Sequence, residues 1–383
     1  LNWNFAPVLD VNSNPANPVI GERSFGADPA RVARLAGAWL RGSAAQGVAC
    51  CVKHFPGHGD THTDSHHALP VVDKSLAELE AVELAPFRAL AAQAPSLMTA
   101  HIVYPQLDPE RPATLSPRLL AQLLRQDIGY RGVVITDALM MKAVHDRWGT
   151  ARAAVMALQA GADMPLAQGT RDEQRAALAA IAQAQAEGTL NAAALAASAA
   201  RLDHLAATHP ATPVDLGEAQ RAADAALMDG GWRRALCALG GARPPAPGTP
   251  LRVVTQARVP TDGVSEAGVG ADAVRALFAG FVDVQFDEVD DLAGIAPDRL
   301  QARDGRRVVL VSTPRERYRA AAAPRRPDLH LALWNPFHAM DIAAPALVTW
   351  GHAPGALAAA RSWLHGQATA TATAPVPLEI ARP

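Results

Sequence analysis

A histidine-rich segment with the sequence KHFPGHGDTHTDSHHALP, from Lys53 to Pro70, is the part of the chain best suited to chemistry. It contains five of the 13 histidines of the protein, together with the aspartates Asp60 and Asp64. Imidazole groups exchange protons near neutral pH, and they are also common metal ligands. Such a concentration of histidine and aspartate therefore predicts either proton transfer or metal binding.

Asp64 and His66 stand two residues apart within this segment. Because the preceding PGHGD combines a proline with two glycines, regular structure should stop there and a sharply turning loop should follow. A carboxylate can accept a hydrogen bond from one imidazole nitrogen, which leaves the other nitrogen to donate or accept a proton at a substrate. The spacing is therefore compatible with an acid/base dyad of Asp64 and His66.

Asp137 is a second candidate for chemistry, at the end of the apolar run GVVITD. The sequence ALMMKAV that follows predicts a helix, and a carboxylate near a helix N-terminus tends to stay ionised. An ionised carboxylate suits a nucleophile, and breaking an acetal needs both a carboxylate at the anomeric carbon and a proton for the leaving oxygen. The alternative is that Asp137 only caps the following helix.

The elements that must position these groups alternate between short apolar runs and helical patterns from residue 1 to about residue 205. Candidate strands are Trp3–Asp10, Val48–His54, Ser96–His101, Gly132–Asp137 and Ala162–Leu166. Candidate helices between them are Ala30–Gln46, Ser75–Ala92, Pro117–Asp127 and Ala151–Ala160. The alternation predicts a parallel sheet with helical crossovers. Four of the strands end in a polar residue, which favours a (β/α) barrel because its catalytic groups lie at the strand C-termini.

The second half of the chain has a different pattern. Ala-rich helices are predicted over Arg175–Ala206, and residues 209–250 are predicted to be a linker with one linking helix. Candidate strands beyond it are Leu251–Thr255, Val282–Phe286, Arg307–Ser312, Leu329–Trp334 and Ala346–Trp350. The predicted organisation is an α/β barrel domain at 1–208, the linker, and a smaller α/β sandwich domain at 251–383.

Composition excludes several classes of function. The 383 residues carry 35 Lys and Arg against 37 Asp and Glu, so no basic excess exists to neutralise nucleic acid. No apolar run reaches the roughly 20 residues that a membrane helix needs, and three cysteines give no disulfide framework. The chain starts at Leu1 without a visible targeting segment. We therefore expect a cytoplasmic protein, with secretion or cell-wall association left open; the oligomeric state is not predicted.

Four segments together resemble one known family. NFAPVLDVNSNPANPVIGERSFG, KHFPGHGDTHTDSHHALP, SLMTAHIVYPQLD and GVVITDALMMKAV are similar, in this order, to the β-N-acetylglucosaminidase branch of glycoside hydrolase family 3. The resemblance covers Leu1 to about Leu166 and is weaker over residues 215–383. It implies a retaining exo-β-N-acetylglucosaminidase that needs no cofactor and acts on small carbohydrates, namely terminal N-acetylglucosamine of cell-wall-derived or chitin-derived oligosaccharides.

The resemblance also implies roles for individual residues. Asp137 would be the nucleophile that forms a glycosyl-enzyme intermediate, and His66 would be the acid/base, oriented by Asp64. Residues that would bind the sugar are Lys53, His54, Asp10, Arg23 and His101. The family barrel has further early strands, and only five are counted here, so the barrel predicted at 1–208 would lack its first strands. The sandwich domain at 251–383 would have a structural role or lie beside the aglycone.

Other interpretations stay open at this stage. The loop 54–67 holds enough nitrogen and oxygen ligands for a metal-dependent hydrolase. A non-catalytic sugar-binding fragment is a second alternative, because the first barrel strands are missing. Arg23 could be a loop ion pair, Asp10 could form an Asx turn with the residues that follow it, and His101 could be a buried structural histidine.

Overall fold

The protein separates into two compact units, Leu1–Pro213 and Val214–Pro383. The computed structural model describes residues 1–261 and 267–382. The boundary lies five residues beyond the predicted end of the barrel domain at residue 208. Most of the predicted linker, residues 209–250, accordingly belongs to the second unit.

A parallel sheet forms the centre of the first unit. Within the described residues its strands, in spatial order, are β1 (Trp3–Asn4), β2 (Ala49–Phe55), β3 (Ser96–Thr99) and β4 (Val133–Ile135). Pairing extends further through isolated bridges, because Val8 pairs with Lys53 and Met164 pairs with Ile135. All five predicted segments therefore take part in the sheet, and the predicted parallel α/β fold is confirmed.

Helices follow the strands and cover the sheet. They are α1 (Pro29–Ala44), α2 (Leu76–Ala81), α3 (Leu84–Leu90), α4 (Lys142–Trp148), α5 (Thr150–Ala160), α6 (Arg171–Ala186) and α7 (Ala192–Thr208), with a π-helix at Arg118–Asp127 and short 3-10 helices at Gly21–Arg23 and Ala113–Leu115. Reciprocal capping boxes start α2 at Ser75 and α6 at Thr170. None of the helices that the structure describes is long and apolar enough to cross a bilayer.

Two helix predictions differ from the structure. The predicted helix over Ser75–Ala92 is two helices, α2 and α3, because the chain breaks where Glu83 turns inward to Lys74. The predicted helix directly after Asp137 is wrong at its start, since α4 begins at Lys142. The apolar sequence ALMM carries a helical pattern, yet its residues form a turn that brings Leu139 against Leu166.

The core of the first unit lies between the sheet and its helices. Residues 49–52 of β2 are all buried, as expected for a parallel strand covered on both faces. Their neighbours in the core include Leu9, Phe55, Phe87, Leu97, Tyr104, Leu119 and Val134. This packing holds the carboxyl ends of the strands at fixed positions, where the polar side chains of the site begin.

The second unit contains a mixed sheet. Within the part of the chain that the structure describes, its spatial order is β5–β10–β9–β8–β6–β7, with bounds β5 (Cys237–Leu239), β6 (Leu251–Gln256), β7 (Val284–Val289), β8 (Arg307–Ser312), β9 (Leu329–Ala332) and β10 (Ala346–Val348). Its helices are α8 (Glu218–Ala235), α9 (Ala271–Leu277) and α10 (Pro354–Leu364), with 3-10 turns at Pro297–Leu300 and Pro336–Met340. The strand β5, antiparallel to β10, falls in the predicted linker and was not predicted.

Candidate active site

The carboxyl ends of the strands in the first unit bring the predicted site residues together. Asp10 follows the bridge between Val8 and Lys53, His54 lies in β2, His101 follows β3, and Asp137 follows β4. His54 and His101 both lie close enough to Asp137 to influence its pKa. These side chains therefore lie together at the carboxyl end of the sheet, as expected for a (β/α) architecture.

Asp10 is the buried centre of this arrangement. Its Oδ2 accepts a hydrogen bond from His54 Nδ1 at 2.7 Å, and its Oδ1 accepts from the backbone N–H groups of His54 at 3.1 Å and His58 at 2.7 Å. Burial alone would raise the pKa of Asp10, but its hydrogen bonds and electrostatic interactions with His54 and His58 hold it below its usual value. Asp10 is 0% exposed, so it supports His54 from behind instead of forming an Asx turn.

The imidazole of His54 is oriented by this carboxylate. Burial lowers the pKa of His54, so the ring is neutral near pH 7, although Asp10 opposes the shift. A neutral ring that donates from Nδ1 keeps Nε2 as an acceptor. His54 thus presents one defined nitrogen, as a sugar hydroxyl would require.

Lys53 and Arg23 bring positive charge to the same place. The pairing of β2 with β3 shifts register between Val52 and Phe55, a bulge of the kind that re-aims side chains near functional sites. Burial and the neighbouring Arg23 lower the pKa of Lys53, whereas Asp137 and Asp10 favour its charged form. Arg23 donates from Nη1 to the carbonyl of Val19 at 3.1 Å. Lys53 and Arg23 are both half-buried and can donate hydrogen bonds to a polar ligand.

Asp137 is a half-buried carboxylate with an anchored orientation. Its Oδ1 accepts from the backbone N–H of Ala138 at 2.8 Å. Burial alone would raise the pKa of Asp137, but His54, His101, the Ala138 N–H and Lys53 together lower it. Because Met141 caps α4, Asp137 is not its N-cap and its ionisation does not come from the helix terminus. An anionic oxygen is therefore available in the site at neutral pH.

His101 lies behind Asp137. It is 0% exposed; its Nε2 donates to the carbonyl of Ala138 at 3.0 Å, and its Nδ1 lies 2.8 Å from the Thr114 hydroxyl oxygen. Burial lowers the pKa of His101, against the opposing charge of Asp137. In this position His101 fixes the backbone next to Asp137, and the predicted direct contact with a sugar does not fit its complete burial.

The predicted pairing of Asp64 and His66 is present in the loop that follows β2. Asp64 Oδ1 accepts from His66 Nδ1 at 2.7 Å and from the His66 backbone N–H at 2.9 Å. Burial would raise the pKa of Asp64, but these bonds keep it low. The His66 side chain is 28% exposed. The carbonyl of Ser65, between the two, accepts from the backbone N–H of Ala143 at 3.3 Å, so the dyad lies beside the segment that follows Asp137.

The dyad loop is held by residues that sequence reasoning did not select. Lys74 Nζ contacts Asp60 Oδ2 at 2.7 Å and the buried Glu83 Oε1 at 2.5 Å. Tyr104 donates from its hydroxyl to the carbonyl of Gly57 at 2.6 Å. No local signal singles out Glu83, because the predicted helix over Ser75–Ala92 also contains Glu78 and Glu80.

Gly59 brings this loop against the strand-end segment that carries Asp10. A Cβ atom at position 59 would lie only 1.8 Å from the carbonyl oxygen of Val11. The close approach of the two backbones therefore requires glycine for reasons of space. This contact holds the loop against the segment that carries Asp10, which forms the floor of the site.

His58 and His62 of the loop each have partners of their own. His58 contacts Thr61 and Ser65, and His62 contacts Asn14. Across residues 1–261 and 267–382, no group of three or more His, Cys, Asp or Glu residues is arranged to hold a metal ion.

Comparison with known proteins places this arrangement in a family. The model of the glycosyl hydrolase family 3 N-terminal domain matches residues 1–205. The chain belongs to this family. It is 40% identical over 235 residues to a β-hexosaminidase A of Pseudoalteromonas piscicida, covering 56% of this chain and 39% of that protein. It is 44% identical over 181 residues to a β-hexosaminidase of Pseudomonas aeruginosa, covering 47% and 54%.

The fold also agrees with a solved structure of the family. A glycoside hydrolase family 3 β-N-acetylglucosaminidase from Paenibacillus sp. str. FPU-7 superposes with a TM-score of 0.84 at 32% identity, covering 100% of this chain and 77% of that one. The two-part architecture of a TIM-type domain and a second mixed-sheet domain is therefore that of the family. The matched regions span 39% and 54% of the two curated relatives.

Proposed function

We propose that this protein is a retaining exo-β-N-acetylglucosaminidase that releases terminal N-acetylglucosamine from cell-wall-derived or chitin-derived oligosaccharides. The observation that carries the proposal is the pairing, at one end of the sheet, of an anionic Asp137 with the Asp64–His66 dyad. The named activities of the similar β-hexosaminidases and of the Paenibacillus enzyme support the sugar specificity.

The first step forms a covalent intermediate. A carboxylate oxygen of Asp137 attacks the anomeric carbon, and the bond from that carbon to the leaving oxygen breaks. The Nε2–H of His66 gives its proton to the leaving oxygen, so the aglycone departs as a neutral alcohol. Asp64, which accepts from Nδ1 at 2.7 Å, holds the ring for this transfer and stabilises its charged form.

The second step hydrolyses the covalent intermediate and regenerates the free Asp137 carboxylate. The neutral His66 takes a proton from water as the water oxygen attacks the anomeric carbon, and the bond to Asp137 breaks. In this proposal Lys53, His54 and Arg23 hydrogen-bond the sugar during both steps. Asp10 holds His54, and His101 holds the backbone next to Asp137.

The direct test is hydrolysis of 4-nitrophenyl N-acetyl-β-glucosaminide, with NMR of the first product formed. Two displacements at one carbon should give the β-anomer of N-acetylglucosamine. Initial release of the α-anomer would exclude the covalent intermediate. Binding of the sugar without turnover would favour the non-catalytic alternative, and loss of activity after exhaustive chelation would favour a metal-dependent hydrolase.

The natural substrate is distinguished by a second measurement. Chitin oligosaccharides and cell-wall fragments ending in N-acetylglucosamine can be offered at equal concentration, with release of the monosaccharide as the readout. An exo-acting enzyme should shorten either chain one residue at a time from its end. Appearance of internal fragments first would contradict exo-action.

A further inference from the structure

Ser65 stands between the two residues of the dyad, yet its hydroxyl bonds to neither. Ser65 Oγ lies 3.1 Å from His58 Nε2, and both residues are 2% exposed. Nothing in the mechanism above uses either side chain. A hydroxyl and an imidazole buried against each other inside a catalytic loop fix the relative position of the two segments that carry them.

The direction of this hydrogen bond follows from the surroundings of His58. Thr61 Oγ donates to the His58 carbonyl at 3.1 Å and accepts from Asn17 Nδ2 at 3.2 Å. Its 2.7 Å contact with His58 Nδ1 is therefore one in which the ring donates. Burial and the charge of His54 lower the pKa of His58 to about 4, so the ring carries one proton. Nε2 is consequently an acceptor, and Ser65 is the donor.

His58 connects Ser65 to the floor of the sugar site. The backbone N–H of His58 donates to Asp10 Oδ1 at 2.7 Å, and Asp10 Oδ2 accepts from His54 at 2.7 Å. A continuous series of contacts thus leads from Ser65 through His58 and Asp10 to His54. It joins the acid/base to the imidazole assigned to the sugar.

Ser65 also contacts the segment that follows Asp137. Its carbonyl accepts from the backbone N–H of Ala143, in α4, at 3.3 Å. One residue therefore touches both the floor built on Asp10 and the helix that follows the nucleophile. One planar peptide bond joins Ser65 to His66, so the position of His66 depends on that of Ser65.

We infer that Ser65 is a positioning residue, whose hydroxyl bond to His58 sets the distance of the His66 imidazole from the bound sugar. The inference rests on the proposed function for its kinetic consequence and on the described contacts for its structural one. Substitution by alanine removes only the donor and leaves the backbone contacts in place. The loop should then move relative to His58, and the His66 imidazole should no longer be held at the distance that proton transfer needs.

The kinetic test compares leaving groups in Ser65→Ala. A displaced acid should reduce kcat/KM about 10- to 100-fold for an alkyl or sugar leaving group that needs a proton. For a dinitrophenyl leaving group, which needs none, glycosyl transfer to Asp137 should be nearly unchanged. An equal reduction for both kinds of substrate, or none for either, would overturn the positioning role.

A matched control is available in the same unit. Ser198 is also buried, and its hydroxyl donates to Asp163 at 2.7 Å on helix α7. Ser198→Ala should leave the dependence of rate on the leaving group as in the unaltered protein. His58→Phe, which removes the acceptor, should repeat the effect of Ser65→Ala, and the double variant should add little to either change.

A second readout needs no activity. Hydrogen exchange at residues 64–68 should accelerate at least about tenfold in Ser65→Ala and not in Ser198→Ala, because the amides of His66, His67 and Ala68 all bond to Asp64. Unchanged exchange in this segment would overturn the inference whatever the protein hydrolyses. Faster exchange in a protein without glycosidase activity would instead refute the proposed function and leave the structural role of Ser65 in place.

Discussion

Both units of the molecule bury histidines at or near the ends of parallel strands, but only one unit surrounds them with accessible charge. In the first unit, His54 is hydrogen-bonded to Asp10 and His66 to Asp64. In the second unit, His330 on β9 bonds to the Ser312 hydroxyl at 2.7 Å, and His338 bonds to a backbone carbonyl at 2.6 Å. The residue types are similar, and the partners are not.

The difference in partners changes what the rings can do. Burial lowers the pKa of His330 to about 3 and of His338 to about 4. Their Nδ1 atoms are buried and have no hydrogen-bond partner within the described part of the chain. In the first unit, by contrast, Asp137 and His66 keep part of their surface exposed. Position at a strand end is therefore insufficient for a site, which also needs paired charge within reach of a ligand.

Asp137→Ala should produce the largest effect, and it tests the chemical role of the charged groups in the first unit. Removal of a nucleophile should lower kcat/KM by at least about 10³-fold, since no other carboxylate is assigned to attack. The melting temperature should stay within a few degrees, because Asp137 does not cap α4. Normal hydrolysis of a nitrophenyl N-acetylglucosaminide by the folded variant would end the assignment.

His66→Ala should come next and depend on the substrate. Loss of a general acid should cost about 10²- to 10⁴-fold for leaving groups that need protonation and much less for activated ones. Kinetics with a series of aryl and alkyl glycosides would show the trend. A uniform loss across the series would contradict the acid role of His66.

Acid should destabilise the second unit through its buried histidines. An unfolded histidine has a pKa of about 6.5, above the folded values of about 3 and about 4. The unfolded chain therefore binds protons first, and stability that is present above pH 6.5 is lost as the pH falls towards 4. Each ring should cost about 2 kcal/mol between pH 7 and pH 5. Urea titrations followed by hydrogen exchange of β8 and β9 would measure this loss.

His330→Leu should have the smallest effect and no kinetic one. Loss of the ring leaves the Ser312 hydroxyl without this partner and should cost about 1–2 kcal/mol of unfolding free energy. It should also remove part of the acid sensitivity of the second unit. The rate of hydrolysis per folded molecule should stay unchanged, and a lower rate would show that the second-unit histidines take part in the reaction.

Local patterns in the sequence were sufficient for much of this architecture. Strand β8 matches its predicted bounds at Arg307–Ser312, because a buried parallel strand is a continuous apolar run. The pairing of Asp64 with His66 was predictable, since it spans two residues of a turning loop. The chemical roles of these residues remain predictions.

Contacts between distant parts of the chain were not predictable in the same way. The Asp10 carboxylate meets His54 and His58 more than 40 residues away, so its burial beneath them leaves no local signature. Lys74 and Glu83 meet because the helix predicted over Ser75–Ala92 is interrupted before α3, and the local pattern does not mark that break. The start of α4 was misplaced because ALMM has a helical apolar pattern while its backbone bonds reach Leu166.

The glycine at position 59 controls the spacing between the dyad loop and the segment that carries Asp10. Even a methyl group there would collide with the Val11 carbonyl, so the short distance between the two backbones depends on glycine. A larger residue at position 59 would therefore have to move the dyad loop away from the segment that carries Asp10, which would change their separation without replacing any residue that has an assigned chemical role.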